Sequence, residues 1–395
     1  MLTLAAVALV VAGRFFGTIE LILLGTAAAA LLIGVVLRAV LVRVDVTVRR
    51  SVHPSRVHAG TASRIDLEIT NIGRRGTPVL QVVDAVSGTH GADLSLAPLR
   101  PRATLRAAYR LPTERRGLVQ IGPLDLVVGD PFGLTKVRIR SAGQTELTIY
   151  PRIDPIAGLP ETAGQDPDAS QESPTSLGRS GEEFFALRPF QIGDEMRKVH
   201  WPASARLDEL QVRQTELPWQ GRVTVLLDLR GDVHSEPSLD LAVSSAASII
   251  TAVRRTGDLV RLVATDGTDS GFLPGNAAYT AILEYLATVP RGPAANIARL
   301  LESLSRSSHG GALVVVTGAI GEHDRTRIDA IRHRYSSLTT VTIDRSAWDP
   351  RAKEATFPDD RRDIIEVTRS HDFPTAWNRG MSLRRRARHS ARVRR

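Results

Sequence analysis

The sequence predicts a multi-domain chain: an N-terminal transmembrane helical hairpin, a β-sandwich-like module, then an α/β unit built on a parallel sheet. Three observations predict it. Two apolar runs stand at the start, Leu2 to Gly13 and Leu21 to Leu37. Short segments that alternate apolar and polar residues fill positions 44–150. After Trp219, near-continuous apolar runs alternate with helical stripes. The expected limits are 1–42 for the hairpin, 43–153 for the β module and 154–181 for a flexible linker. The signature segment and α/β domain follow at 182–345, with a C-terminal extension and basic tail at 346–395.

Leu21 to Leu37 is seventeen residues without a charge. With Ile19, Ala39 to Val42 and a snorkelling Arg38 it reaches the roughly 20 residues that a bilayer requires. Leu2 to Gly13 is short for a span unless it extends through Phe15 and Phe16 with Arg14 at the interface. No basic region precedes Leu2, which argues against a signal peptide. Arg43, Arg49, Arg50 and Arg56 follow the second run, whereas the turn between the runs offers only Arg14. The positive-inside rule then predicts a two-pass plasma-membrane protein whose large domain is cytoplasmic.

The β reading rests on Val44 to Arg49, Ile65 to Ile69 and Leu124 to Leu126, which alternate at period two. Turn chemistry separates them: Asn71-Ile72-Gly73, Ser87-Gly88, Arg116-Gly117 and Asp130-Pro131-Phe132-Gly133. About seven short strands at this spacing suggest a sandwich. His53, His58 and His90 lie in loops of this reading and are expected at the surface. Pro155, Pro160, Pro167 and Pro174, mixed with Gly, Ser and acidic residues, mark the linker.

In the last third, Val223 to Leu227, Leu259 to Val263, Ala312 to Thr317 and Leu338 to Ile343 read as strands. Leu239 to Arg255, 277–289, 294–307 and Glu322 to Arg334 read as helices between them. Such alternation implies right-handed βαβ crossovers and ligand sites at the carboxyl ends of the strands.

Composition removes several chemistries. No cysteine is present, so disulfides, thiol nucleophiles and cysteine metal sites are excluded. The net charge is +9, but the last fourteen residues hold seven Arg and no acid. The rest is nearly balanced, at 44 basic against 42 acidic residues, so a nucleic-acid-binding body is not expected. The Arg tail is expected either to touch anionic lipid or to stay solvated. There is no Gly-x-x-x-x-Gly-Lys-Ser/Thr loop, no Gly-x-Gly-x-x-Gly after a strand and no Gly-x-Ser-x-Gly elbow. A nucleotide cofactor is therefore not expected.

The first α/β strand ends at Asp228, followed by Leu229-Arg230-Gly231-Asp232. A von Willebrand factor A-like, Rossmann-type corner carries Asp-x-Ser-x-Ser here and holds Mg²⁺ with hard oxygens. Both hydroxyl positions are lost, to Arg230 and Asp232, so the corner reads as degenerate. Asp228 is expected to cap a helix or to pair with an arginine.

The densest segment runs from Phe184 to Glu216. Gly193 and Asp194 suggest a turn that opens a short helix limited by Pro202. Asp194 and Arg197 lie three apart, His200 and Trp201 follow, then Ser204 and Arg206. An acid, a histidine and a serine together admit a triad, but no oxyanion donor is evident. The alternatives are structural anchoring and a partner-binding surface, because Arg and Trp are common interface anchors.

The run Leu187-Arg188, Gly193-Asp194, Arg197, Val199-His200-Trp201 and Ser204-Ala205-Arg206 resembles the signature of the bacterial domain-of-unknown-function family 58. Arg115-Arg116-Gly117, Ile121-Gly122-Pro123, Asp130 to Leu134 and Tyr150-Pro151 are similar to the β region of those proteins. The resemblance extends to about residue 345, with Phe190 where Tyr is usual and Pro202 where a basic residue is common. It implies a membrane-anchored protein with a degenerate von Willebrand factor A-like domain and a MoxR-type AAA+ ATPase as partner. It implies no established activity. The function expected is a non-enzymatic adaptor or scaffold; the alternative is an envelope-associated hydrolase around Asp194, His200 and Ser204.

Overall fold

The computed structural model describes residues 2–41, 44–129, 136–159, 183–190, 196, 199–207, 209–216, 221–292, 297–306, 310–318, 321–352 and 363–393. The chain divides into two compact units, Met1–Tyr150 and Pro151–Arg395.

The first unit opens with two helices, α1 (Leu2–Phe16) and α2 (Ile19–Leu41). They pack closely where glycine permits it: a Cβ on Gly25 would lie 2.9 Å from the Ala6 carbonyl oxygen. The expected transmembrane hairpin is not supported. Among the described residues, no helix is long and apolar enough to cross a membrane. The physical reason is length between charges. The 15 residues of α1 rise about 22 Å, and the uncharged run of α2 about 26 Å, against a hydrocarbon core of about 30 Å. The expected two-pass plasma-membrane placement, with its cytoplasmic domain, falls with it.

The rest of the first unit is β structure. One sheet has three antiparallel strands in the order β1 (Val46–His53), β3 (Ser63–Asn71), β6 (Thr104–Leu111). The other runs β2 (Arg56–His58), β9 (Thr145–Tyr150), β7 (Gly117–Gly129), β4 (Leu80–Val86), β5 (Ala92–Leu96), with β8 (Lys136–Ala142) also on β7. Alternation decides which face is inward: Ile65, Leu67 and Ile69 of β3 share one core with Leu80 and Val82 of β4 and Leu124 and Leu126 of β7. Two sheets closing on one apolar core make a sandwich. His53 and His90 are exposed, and His58 is half-buried against the Tyr150 ring. The turn at Asp130 to Gly133 lies outside the described residues.

The second unit carries a small antiparallel ribbon, β10 (Glu183–Pro189) with β11 (Gln211–Glu216), and between them the short helix α3 (Trp201–Leu207). Its main sheet has five parallel strands in the order β13 (Leu259–Ala264), β12 (Arg222–Leu227), β14 (Ala312–Gly318), β15 (Ser337–Ile343), β16 (Ile364–Val367). Every residue of β14 is buried, the pattern of a strand covered on both faces. The helices are α4 (Glu236–Thr256), α5 (Asn276–Thr288), α6 (Ile297–Arg306), α7 (Glu322–Ala330) and α8 (Phe373–Val393). Ser235 caps α4 at its start, and Gly257, in the left-handed region at φ 86°, ends it.

Two expected boundaries shift. Residues 151–159, placed at the end of the β module and the start of a linker, pack into the second unit: Asp154 is buried and its N–H donates to Ser248 Oγ of α4 at 2.9 Å. The remaining linker positions, 160–181, lie outside the described residues. The C-terminal extension supplies β16 and α8, and Phe373, Trp377 and Met381 are fully buried on one stripe of α8.

Candidate functional site

The strand order places β12 between β13 and β14, so the winding reverses between β12 and β14. In open α/β sheets the crevice outside the carboxyl ends at such a point is where ligands bind. Here the chain fills the crevice with its own charges. Asp228 directly follows β12 and is fully buried. Its Oδ1 accepts from the Arg230 N–H at 3.1 Å and from Nε at 3.0 Å. Its Oδ2 accepts from Arg230 Nη2 at 2.9 Å and from Thr317 Oγ1 at 2.8 Å. Both carboxylate oxygens are thus saturated. Arg230 Nη1 reaches on to Asp324 Oδ2, at 2.8 Å, in the first turn of α7. Burial works against the guanidinium charge, but Asp228 first and Asp324 second outweigh it and hold Arg230 above the usual arginine range.

The loop that follows is tied from several sides. Gly231 N–H donates to the Gly292 carbonyl at 3.0 Å, and Gly292 N–H to the Leu229 carbonyl at 2.8 Å. Asp232 is exposed, and its carbonyl oxygen accepts from Arg345 Nη1 at 2.9 Å. Gly318 closes the far side: a Cβ there would lie 2.2 Å from the Val233 carbonyl oxygen. His234 is fully buried, and burial pushes its pKa down to about 4, so the ring is neutral. Its Nδ1 lies 3.4 Å from Ser238 Oγ, and Nε2 is buried with no hydrogen-bond partner among the described residues.

Of the two expected roles for Asp228, the pairing with an arginine is the one observed. The donor set does not fit a hard cation: both Asp228 oxygens are taken, a guanidinium stands beside them and Asp232 faces solvent. Among the described residues no group of three or more His, Asp or Glu side chains gathers to hold a metal. Asp324, Thr317, His234 and Arg345 are participants that the sequence reading did not single out. An acid in the first turn of α7 is what a helix dipole favours, yet nothing local in the sequence links Asp324 to Arg230, 94 positions away.

The signature segment is seen in part. Gly193, Asp194 and Arg197 lie outside the described residues. Arg188 lies on β10, opposite Val212. His200 precedes α3 and acts as its cap: Nδ1 accepts from the Ala203 N–H at 3.1 Å, and its own N–H donates to the Gln211 carbonyl at 2.7 Å. Ser204 is buried; its Oγ donates to the His200 carbonyl at 3.1 Å and accepts from the Gln211 N–H at 2.8 Å. His200 and Ser204 meet through the His200 carbonyl; the His200 ring serves the start of α3, and the Ser204 hydroxyl ties α3 to β11. Arg206 is exposed in the last turn of α3, where a cation suits the helix dipole. Trp201 is exposed too, at 60% of its surface.

Residues 186–362 match the family model described as "Protein of unknown function DUF58". Over this stretch the chain is similar to DUF58. The matched stretch runs from β10 through the signature and the switch point to just before β16. The match therefore omits both residues 151–159 and α8, which pack into the same unit. No curated protein matches the chain. Among solved structures, the CARDB domain of a Pyrococcus furiosus protein in complex with di-metal ions is 16% identical, with a TM-score of 0.22, over 27% of this chain and 93% of that one. A Pseudomonas fluorescens alkylpurine DNA glycosylase bound to DNA is 14% identical, with a TM-score of 0.19, over 27% and 30%. A Paenibacillus cycloisomaltooligosaccharide glucanotransferase is 12% identical, with a TM-score of 0.18, over 75% and 45%. Likenesses at these scores carry no argument about the chain.

Proposed function

We propose that this chain is a non-enzymatic adaptor or scaffold whose DUF58-like stretch binds a protein partner through the signature segment. The observation that carries the reading is the exposure of Trp201, accompanied by Met196, Leu207 and Leu210, all large apolar side chains left in water. Covering apolar surface is favourable by about 25 cal/mol per Å², and a Trp at the centre of a contact is a frequent anchor. The partner we propose, on the family resemblance, is a MoxR-type AAA+ ATPase.

Two further features support a binding role over a catalytic one. The switch point, where a small substrate would sit, is filled by Asp228, Arg230 and Thr317. The hydrolase reading needs Ser204 Oγ and the His200 ring to face one another, whereas His200 Nδ1 caps α3 and Ser204 Oγ bonds the His200 carbonyl and the Gln211 N–H.

The test is binding of the purified full chain to a MoxR-type ATPase, wild type against a Trp201→Ala, Leu207→Ala double variant. Both positions are exposed, so the fold is expected to survive, checked by an unchanged melting temperature. A Kd weakened about tenfold or more supports the reading. Equal affinity for both proteins, or no binding by the wild type, overturns it.

A further inference from the structure

Residues 151–159 have no strand or helix of their own. Side chains on two helices bond them to the rest of the unit. Asp154 N–H donates to Ser248 Oγ on α4. Ala157 is read at both backbone groups by adjacent residues of α8: its N–H donates to Asn378 Oδ1 at 2.8 Å, and its carbonyl accepts from Trp377 Nε1 at 2.7 Å. Arg385 of α8 reaches the Gly158 carbonyl at 3.4 Å. Pro151, Asp154 and Leu159 are buried, whereas Arg152 and Pro155 are exposed.

The contrast with the sheet is energetic. Strands β12 and β14 are bonded along their length and buried on both faces, so they open only with the whole unit. A segment without ladder bonds, held by side-chain hydrogen bonds of about 1 kcal/mol each and by the burial of Pro151 and Leu159, opens at lower cost than the sheet. Trp377 has two roles. Its ring is fully buried beside Phe373, with centroids 5.7 Å apart, and its N–H holds the strap.

We propose that α8 is a releasable clasp: through Trp377 and Asn378 it fastens residues 151–159 as a strap across α4 and α8, and this strap opens as a local unit while the sheet stays folded. The clasp reads main chain at Ala157, so what it holds is an extended segment rather than a particular side chain. A released strap of nine residues adds up to about 30 Å of slack to the chain leading into the unit.

Hydrogen exchange on the full chain tests this, residue by residue. Asn378 is exposed, so Asn378→Ala removes one fastener without touching the core. Trp377→Phe keeps a ring in the core and removes the other fastener. The expected result is that the Asp154 and Ala157 amides exchange faster together, by about tenfold in either variant, while the amides of Val225 and Val315 keep their protection. Asp154 is the decisive probe, because its own acceptor, Ser248, is untouched. If only Ala157 accelerates, or if the strand amides accelerate equally, the clasp is overturned. If Trp377→Phe fails to fold, Asn378→Ala alone decides between these outcomes.

Discussion

The guanidinium of Arg50 meets the carboxylate of Asp84 at 2.7 Å, with 3% and 0% of the two side chains exposed. The pair links β1 of one sheet to β4 of the other, and Tyr109 of β6 donates to the second oxygen of Asp84 at 2.7 Å. Burial first, and the Asp84 hydrogen bond second, hold the Tyr109 hydroxyl well above the usual phenol range, so it remains a donor. Arg50 also bonds the Ile121 carbonyl and Thr145 Oγ1. Removing one partner of a buried pair strands the other. Asp84→Ala is expected to destabilise the β unit by about 3–5 kcal/mol, and Tyr109→Phe by about 2 kcal/mol. Urea denaturation of each variant measures both; an Asp84→Ala loss below that of Tyr109→Phe would contradict the assignment.

The switch-point pair predicts a second ordering. Arg230→Ala leaves Asp228 buried with Thr317 as its remaining side-chain donor, and should cost about 3–5 kcal/mol. Asp324→Ala leaves the bidentate pair intact and should cost about 1 kcal/mol. Because both Asp228 oxygens are engaged, millimolar Mg²⁺ should leave the melting temperature unmoved. A clear rise that disappears in Asp228→Ala would show that a cation displaces the guanidinium.

His234 predicts a pH dependence. Its pKa is about 4 in the folded chain against 6.5 for a free histidine, so the unfolded chain binds the proton first as pH falls. The stability from keeping this ring neutral is complete above about pH 6.5 and is lost as pH drops toward 4, a change of about 3 kcal/mol over that window. His234→Gln should flatten this part of the curve, read by denaturant midpoints at pH 7, 5.5 and 4.5. An unchanged slope would mean that the ring finds a partner when charged.

Gly318 predicts the cost of a single methyl group. The Val233 carbonyl approaches so closely that Gly318→Ala must move the loop or the end of β14. The expected loss is about 1–3 kcal/mol. Gly143→Ala, where a Cβ meets open space and φ is not positive, should stay within about 0.5 kcal/mol. Thermal melts of the two variants side by side check the difference.

Local pattern and distant pairing were legible to different degrees. Val223 to Leu227, Ala312 to Thr317 and Leu338 to Ile343 coincide with β12, β14 and β15, because full burial on two faces forces a continuous apolar run. The Leu239 to Arg255 stripe marks α4 for the same local reason. The hairpin misled: apolar composition without the length between charges reads the same as a span. β16 has four residues and α8 is dominated by arginine, so neither shows a strong pattern, and Phe373, Trp377 and Met381 are too sparse a stripe to announce a buried helix. At the site, the loss of two hydroxyls left Asp228 either to cap a helix or to pair with an arginine, and only the fold decided between them. Nothing pointed to Asp324 or His234, whose roles depend on which loops meet at the end of a sheet. The serine and histidine of the signature admitted a triad, an anchor or a partner surface by type; the structure shows His200 Nδ1 at the start of α3 and Ser204 Oγ between the His200 carbonyl and the Gln211 N–H.

The bond between Ala157 and Trp377 spans 220 positions. Contacts of such separation close late, because the intervening chain must first be ordered. During synthesis the strap emerges with nothing to grip it, while β12, α4, β13, β14 and β15 can assemble behind it one crossover at a time. Completion therefore waits for α8, whose arrival seals the unit at both ends at once. A nascent or truncated chain lacking this helix would hold a finished sheet with an unsecured leading edge and an uncovered apolar face, which is the form that quality-control proteases and chaperones are built to notice.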